Sequence, residues 1–129
     1  MIEIILTDEK DERFINFCQS FESIINTPQT VLLLRNNNKI EGCASFKKLD
    51  ASYCEITTLF LNSFKNRDKI AFKLIRQLEK VAIDMDLKKI IVTFDSGEGI
   101  LIDLFDKLDY HIKSSDGEVL MEKDFKRLI

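Results

Sequence analysis

Tryptophan is absent from this chain of 129 residues, proline and histidine occur once each, and glycine occurs four times. With so little proline and glycine there is no linker-like stretch, and no repeat or low-complexity segment interrupts the chain. A length near the modal domain size of roughly 100–150 residues then predicts one domain over residues 1–129. The single histidine, His111, cannot build a metal site alone, and no Asp/His/Glu cluster has ligand spacing, so no metal is expected. Long apolar runs are missing as well. Val31–Leu34 and Ile90–Val92 fall far short of the roughly 20 residues that a membrane span requires, so no membrane partner is expected.

The three cysteines, Cys18, Cys43 and Cys54, are odd in number and lack the C-x-x-C pairing of zinc or redox sites. They read as buried hydrophobes. Cys43 and Cys54 have the spacing to face one another across adjacent antiparallel strands, where a reducing compartment would keep them as thiols. A formal net charge of −3 and the lack of a basic stripe outside residues 65–76 argue against nucleic acid as a partner, which needs a broad positive surface. Met1–Thr7 is apolar but short, lacks a basic lead and gives way at once to Asp8, Glu9, Lys10 and Asp11. It does not read as a signal peptide, and a cytoplasmic address is expected.

What the chain does contain is most concentrated between Glu55 and Val92. Leu59 and Leu61 alternate with other residues as in a strand, and Asn62 to Asp68 hold no apolar residue except Phe64. Ile70, Leu74, Leu78, Val81 and Met85 then recur at helical spacing. The turn between strand and helix carries Lys65, Arg67 and Lys69, with Lys73 one helical turn on. Cations at a helix N-terminus oppose the macrodipole by about 0.3–1 kcal/mol each, and a pyrophosphate would answer both the free N–H groups and the positive charge. The alternative is a solvated turn in which Asp68 caps the helix.

Elsewhere the pattern is regular. Ile2–Leu6 reads as a strand, with Thr7 or Asp8 as the cap of the first helix. Phe14, Ile15, Phe17, Cys18, Phe21 and Ile24 give that helix an amphipathic pattern ending before Asn26, Thr27 and Pro28. Thr30–Phe46 is a hairpin turning at Asn36, Asn37 and Asn38. Lys89–Phe94 is a strand, Asp95 or Ser96 caps a short helix over Leu101–Leu108, and Tyr110–Lys113 and Glu118–Lys123 are the closing strands. The predicted class is α+β, in the order strand, helix, three strands, helix, strand, helix, two strands.

These segments resemble the GNAT acyltransferases, which bind acetyl-coenzyme A at such a strand, turn and helix. Family members show a strand ending in L-x-V-x-P, a turn of pattern [QR]-x-x-G-x-[GA], and a helix with paired aliphatics and a later Ala. Here Leu59, Leu61 and Ser63 stand at the L, V and P positions, Asn66 at the Gln/Arg position, Lys69 at the first Gly and Ala71 at the last small residue. Leu74 and Ile75 form the aliphatic pair, and Ala82 is the later Ala. Lys69 in place of Gly puts a side chain where the family brings backbone close to phosphate. Asn38, Ile40 and Gly42 stand in the places of the family's G-x-I-x-G hairpin. The run LFDKLDYHI is similar to its L-Y-E-K-L-G-F, with Phe105 at the Tyr and Asp109 at the Gly, and Met121 and Lys123 match its M-x-K ending.

The resemblance implies a mostly antiparallel mixed sheet flanked by helices, and acyl transfer from acetyl-coenzyme A or another acyl-coenzyme A to a primary amine. Phe60, Leu61, Asn66, Arg67, Lys69, Ile70 and Ala71 would hold the coenzyme. In histone-type members a Glu in an E-I-x-x-x-x-[ILV] strand is the general base, and Glu55, Ile56 and Leu61 match that spacing. By alternation with Tyr53 and Thr57 alone, Glu55 is simply an outward-facing strand residue. A backbone N–H near Phe60 or Leu61 would stabilise the oxyanion. With Phe105 at the family's Tyr position, the leaving thiolate would take its proton from water or from Tyr110.

Family members commonly place two helices between the first two strands, whereas this chain has only Thr7–Thr30 there, which implies an open acceptor cleft. A polyamine, an aminoglycoside or a protein amine all suit it, and a homodimer is compatible with it. The departures at Asn66, Lys69 and Phe105 suggest an alternative, a GNAT-like module without catalysis that senses a ligand or binds a protein.

Overall fold

The computed structural model describes residues 2–22, 27–62, 67–95, 97–115 and 117–125. Its elements are β1 (Ile2–Asp8), α1 (Glu12–Gln19), β2 (Thr30–Asn36), β3 (Lys39–Lys48), β4 (Tyr53–Leu61), α2 (Arg67–Asp84), β5 (Lys89–Asp95), α3 (Gly99–Lys107), β6 (His111–Ser114) and β7 (Glu118–Asp124). This is the order the periodicities predict. The strands form one mixed sheet in the order β1-β2-β3-β4-β5-β7-β6. Within it only β4 and β5 run parallel, because α2 carries the chain back across the sheet between them. The β2–β3 hairpin turns at Asn37 and Asn38, both left-handed at φ 51° and 70°. A two-residue turn that matches strand twist requires this conformation, and Asn tolerates it.

Each face of the sheet carries its own apolar cluster. On one face α2 lays Ala71, Leu74, Ile75, Leu78 and Ala82 over Leu32, Leu34, Phe46, Cys54, Ile56 and Ile90, with Leu104 and Phe105 of α3 beside them. On the other face α1 lays Phe14, Phe17 and Cys18 over Val31, Leu33 and Cys43.

Strand β4 does not keep one parity between these faces. Ser45 pairs with Thr58 but Phe46 pairs with Ile56, which leaves Thr57 as an extra residue in a β-bulge. Before the bulge Cys54 and Ile56 face α2; after it Leu59 and Leu61 do. A bulge of one residue moves every later side chain to the opposite face. Here it brings both apolar halves of the strand under α2.

Four local expectations are corrected. Strand β1 runs on through Thr7 and Asp8, which pair with Val31 and Thr30, so neither caps α1. The cap is Asp11, which accepts from the Arg13 backbone N–H at 2.8 Å. The Arg13 guanidinium hydrogen-bonds Asp11 and holds its carboxyl well below the usual carboxylate range, and Thr7 Oγ1 donates to it as well. Helix α1 ends at Gln19, where the Ser20 hydroxyl donates to the Phe17 carbonyl at 2.6 Å; the expected extension to Ile24 runs into residues 23–26, outside the described residues. Asp95 does not cap α3: pairing with Glu118 keeps it in β5, and Glu98 stands at the N-cap without a side-chain capping bond, while Ser96 lies outside the described residues.

Cys43 and Cys54 do not meet, because register pairs Cys43 with Phe60 and Cys54 with Lys48, and the two thiols lie in the clusters of opposite faces. The thiol neighbour of Cys43 is Cys18, whose hydrogen bond together with burial pushes the Cys43 thiol up. Burial pushes the Cys54 thiol up to about 12.

Candidate active site

The parallel ladder between β4 and β5 has three rungs, Tyr53 with Lys89, Cys54 with Ile90 and Glu55 with Ile91. Both strands continue, β4 to Leu61 along β3 and β5 to Asp95 along β7. Beyond Glu55 the two strands therefore part, and a gap opens in the sheet on the stretch of β4 that holds the Thr57 bulge.

Strand geometry decides which backbone groups face that gap. The Asn62 N–H donates to the Glu41 carbonyl at 2.8 Å across the Leu61/Gly42 rung. That bond makes Leu61/Gly42 a non-hydrogen-bonded pair and Phe60/Cys43 a hydrogen-bonded one. The N–H of Phe60 thus belongs to the ladder with β3, whereas those of Leu59 and Leu61 turn to the open edge. Of the two residues expected to supply an oxyanion donor, Leu61 alone has its N–H on the gap side. Leu59 was not anticipated, since only the register reveals it. The Phe60 ring stacks on Phe21 at 4.8 Å on the α1 face, and Leu61 packs against the α2 cluster.

Helix α2 spans Arg67–Asp84; the first amides of an α-helix have no partner within the helix, and the residues four before Arg67, Asp68 and Lys69 lie outside the described residues. The side chains of Arg67 and Lys69 are exposed. Ile70 is half-buried against the core and Ala71 is 1% exposed within it. Their side chains seat the first turn against the sheet. Asn66 lies outside the described residues. Gly42 is what lets α2 approach: a Cβ there would stand 3.0 Å from Leu61 Cδ2, 3.2 Å from Leu74 Cδ1 and 3.3 Å from Ile70 Cγ2.

Glu55 lies between Cys54 and Ile56, both of which face α2, so its side chain points to the α1 face. That carboxylate is 22% exposed and stands 3.7 Å from Lys47 Nζ on the neighbouring strand. Next to it is a polar cluster that sequence inspection missed. The Ser45 hydroxyl is hydrogen-bonded to those of Thr57 and Thr58, at 2.8 and 2.7 Å, and Thr57 Oγ1 donates to Gln29 Oε1. Gln29 is only 7% exposed. The Thr57-Thr58 pair in an otherwise apolar strand was the available signal, but only the bulge brings both hydroxyls to Ser45.

Tyr110 lies away from this arrangement, fully buried in the α2 cluster. Its hydroxyl donates to Glu79 Oε2 at 2.7 Å, and Lys123 Nζ donates to Glu79 Oε1 at 3.0 Å and to the Leu108 carbonyl at 2.9 Å. Burial foremost, then the Glu79 carboxylate, pushes the phenol well above its ordinary range. Phe105, at the position of the resembling family's Tyr, packs edge-on against the Tyr110 ring at 4.9 Å. Among the described residues no helix is long and apolar enough to cross a membrane, and no three His, Cys, Asp or Glu side chains gather to hold a metal.

Comparison with known proteins gives a consistent picture. A sequence profile of the acetyltransferase (GNAT) family matches residues 3–110. No curated protein matches the chain. Among solved structures, an inferred acyl-CoA N-acyltransferase from Klebsiella pneumoniae is 17% identical with a TM-score of 0.83, over 96% of this chain and 97% of that one. A GNAT family acetyltransferase from Elizabethkingia anophelis, determined with acetyl-CoA bound, is 16% identical with a TM-score of 0.73, over 96% and 98%. The PaiA N-acetyltransferase of Thermoplasma acidophilum, determined with coenzyme A, is 14% identical with a TM-score of 0.78, over 97% and 99%.

Proposed function

Because the chain belongs to the GNAT acetyltransferase family, we propose that it moves an acyl group, acetyl first, from acyl-coenzyme A to a primary amine by direct attack. The observation that carries this is the parting of β4 and β5 beyond the Glu55/Ile91 rung. The gap joins the two faces of the sheet, with the open N-terminus of α2 on one and the Glu55 carboxylate on the other. The first-turn amides of α2, with Arg67 and Lys69, receive the pyrophosphate. The pantetheine arm passes along the open edge of β4, and the amine approaches from the α1 face.

The chemistry is then one addition and one elimination. Glu55 takes a proton from the acceptor ammonium, directly or through water, and the free amine nitrogen attacks the thioester carbon. The Leu61 N–H holds the oxygen that becomes negative. As the C–S bond breaks, the electron pair leaves with sulfur, the attacking nitrogen gives up its remaining extra proton to water, and the thiolate takes its proton from water. Tyr110 has no part in this reading, since its hydroxyl is buried and committed to Glu79.

A second reading, a family member that binds without catalysis, draws on Phe105. That residue is fully buried and carries no hydroxyl at the family's Tyr position. Calorimetric titration with acetyl-coenzyme A tests the coenzyme site. One-to-one binding followed by release of free thiol with an amine panel supports transfer; binding without thiol release supports the second reading; silence at millimolar coenzyme removes the coenzyme from both.

A further inference from the structure

A hydroxyl carries one proton, and that constraint orients the polar cluster beside Glu55. Thr57 Oγ1 donates to Gln29 Oε1, so in the 2.8 Å bond between Ser45 and Thr57 the proton is that of Ser45. The Ser45 hydroxyl is then the acceptor in its 2.7 Å bond with Thr58. Gln29 Nε2 continues the chain by donating to Thr27 Oγ1 at 2.8 Å. The bonds therefore run one way, from Thr58 to Ser45 to Thr57 to Gln29 to Thr27. Gln29 sets that direction, because its carbonyl oxygen accepts and never donates. A second acceptor for the Thr57 proton, the Ser45 carbonyl, stands at a long 3.4 Å.

Gln29 comes from outside the sheet, just before β2, and is buried. Its partner Thr57 is the surplus residue of the β4 bulge, with no opposite number on β3. Such a residue is left out of the ladder, so its side chain is what ties it down. The later part of β4 depends on that surplus residue. Without it Ser45 would pair with Thr57, Cys43 with Leu59 and Gly42 with Phe60. Phe60 would then turn its side chain to the α2 face and its N–H to the gap, and the N–H groups of Leu59 and Leu61 would turn into the ladder with β3.

We propose that Gln29 is a positioning residue for acyl transfer: by accepting the Thr57 proton it holds the bulge in place, and the bulge keeps the Leu61 N–H at the gap where the oxyanion forms. Glu55 stands two residues before Thr57 on the same strand, so base and oxyanion donor share this anchor. Gln29 acts through Thr57 and not on the substrate. The catalytic consequence rests on the acyl-transfer reading; the hydroxyl chain and the bulge do not.

The test compares Gln29→Met, which keeps the length of the side chain but removes the acceptor, with Gln29→Glu, which keeps an acceptor for Thr57 and can take the Thr27 hydroxyl as a donor. Two readouts serve, on variants that circular dichroism shows folded: the backbone amide resonances of Leu59 and Leu61 by NMR, and steady-state acetyl transfer to a found acceptor. Gln29→Met should move both resonances and lower kcat on the order of 10- to 100-fold, with KM for acetyl-coenzyme A little changed. Gln29→Glu should restore both readouts. Should Gln29→Met not fold, Thr57→Val against Thr57→Ser makes the same comparison from the other end of the bond, with the same outcomes. Unmoved Leu59 and Leu61 amides in Gln29→Met overturn the proposal whether or not transfer is found, and so does a Gln29→Glu variant as impaired as Gln29→Met. A raised KM with kcat intact overturns it as well. A protein that transfers no acyl group, yet whose amides move in Gln29→Met and return in Gln29→Glu, keeps the Gln29 anchor and loses the acyltransferase reading; one that transfers with kcat unchanged by Gln29→Met does the reverse.

Discussion

Glu55 and Ile91 form the last rung between β4 and β5, so the carboxylate stands at the apex where the sheet divides. Its backbone is held on both sides, by Lys47 across β3 and Ile91 across β5, while the strand just beyond it has a free edge. In the proposed reaction a rigidly held carboxylate beside an open edge suits proton removal next to a bound thioester, since positioning alone supplies much of an enzyme's acceleration.

Glu55→Gln keeps the shape of the side chain but cannot accept a proton. Turnover at neutral pH should fall about 10²–10⁴-fold. The deficit should narrow as pH rises toward about 10, where a lysine-like amine deprotonates unaided. A pH–rate profile of both proteins against a found acceptor checks this, and equal rates at pH 7 would remove Glu55 from the mechanism.

Gly42→Ala places a methyl 3.0–3.3 Å from Leu61, Leu74 and Ile70. The strand gains about 0.5–1 kcal/mol from losing a glycine, which offsets part of the roughly 1–3 kcal/mol cost of overpacking. The net change in urea unfolding should be small. Coenzyme affinity should drop several-fold all the same, because the methyl pushes the first turn of α2 away from the gap; unchanged affinity would place the coenzyme elsewhere.

Tyr110→Phe leaves Glu79 Oε2 buried and unsatisfied, which should cost about 1–3 kcal/mol of stability. The buried phenol is held neutral, with its folded pKa above the unfolded value of about 10. Its contribution is therefore complete below pH 10 and is lost as pH rises beyond that point. The variant should show a flatter loss of stability between pH 10 and 12 than wild type, with acyl transfer kept at neutral pH. Abolished transfer in a folded variant would return Tyr110 to the reaction.

Asp11→Ala removes the cap of α1 and should cost about 0.5–2 kcal/mol at pH 7. The carboxyl is depressed first by its bond to Arg13, so its stabilisation is present above the unfolded value near pH 4 and is lost as pH falls below it. Urea midpoints of wild type and variant should converge toward pH 2, and a difference independent of pH would contradict the charged cap.

The order of elements, the Asn37-Asn38 turn, the apolar face of α2 and the spacing from Glu55 to Leu61 were all determined by the sequence itself. Each depends on periodicities and turn preferences that act over a few residues. Residues far apart in the chain decided the rest. The Thr57 bulge exists because Ser45 and Phe46 set the register of β4, and it alone explains how Leu59 and Leu61 come to share a face with Cys54 and Ile56. Whether Phe60 or Leu61 offers its N–H to the gap depends on a bond between Asn62 and Glu41. Tyr110, which the family resemblance made a candidate proton donor to the thiolate, is buried with its hydroxyl on Glu79, a residue 31 positions from Tyr110 and 44 from its other partner, Lys123. Local pattern cannot encode such pairings, because they are settled only when the whole chain buries its apolar surface at once and each buried polar group must find a partner.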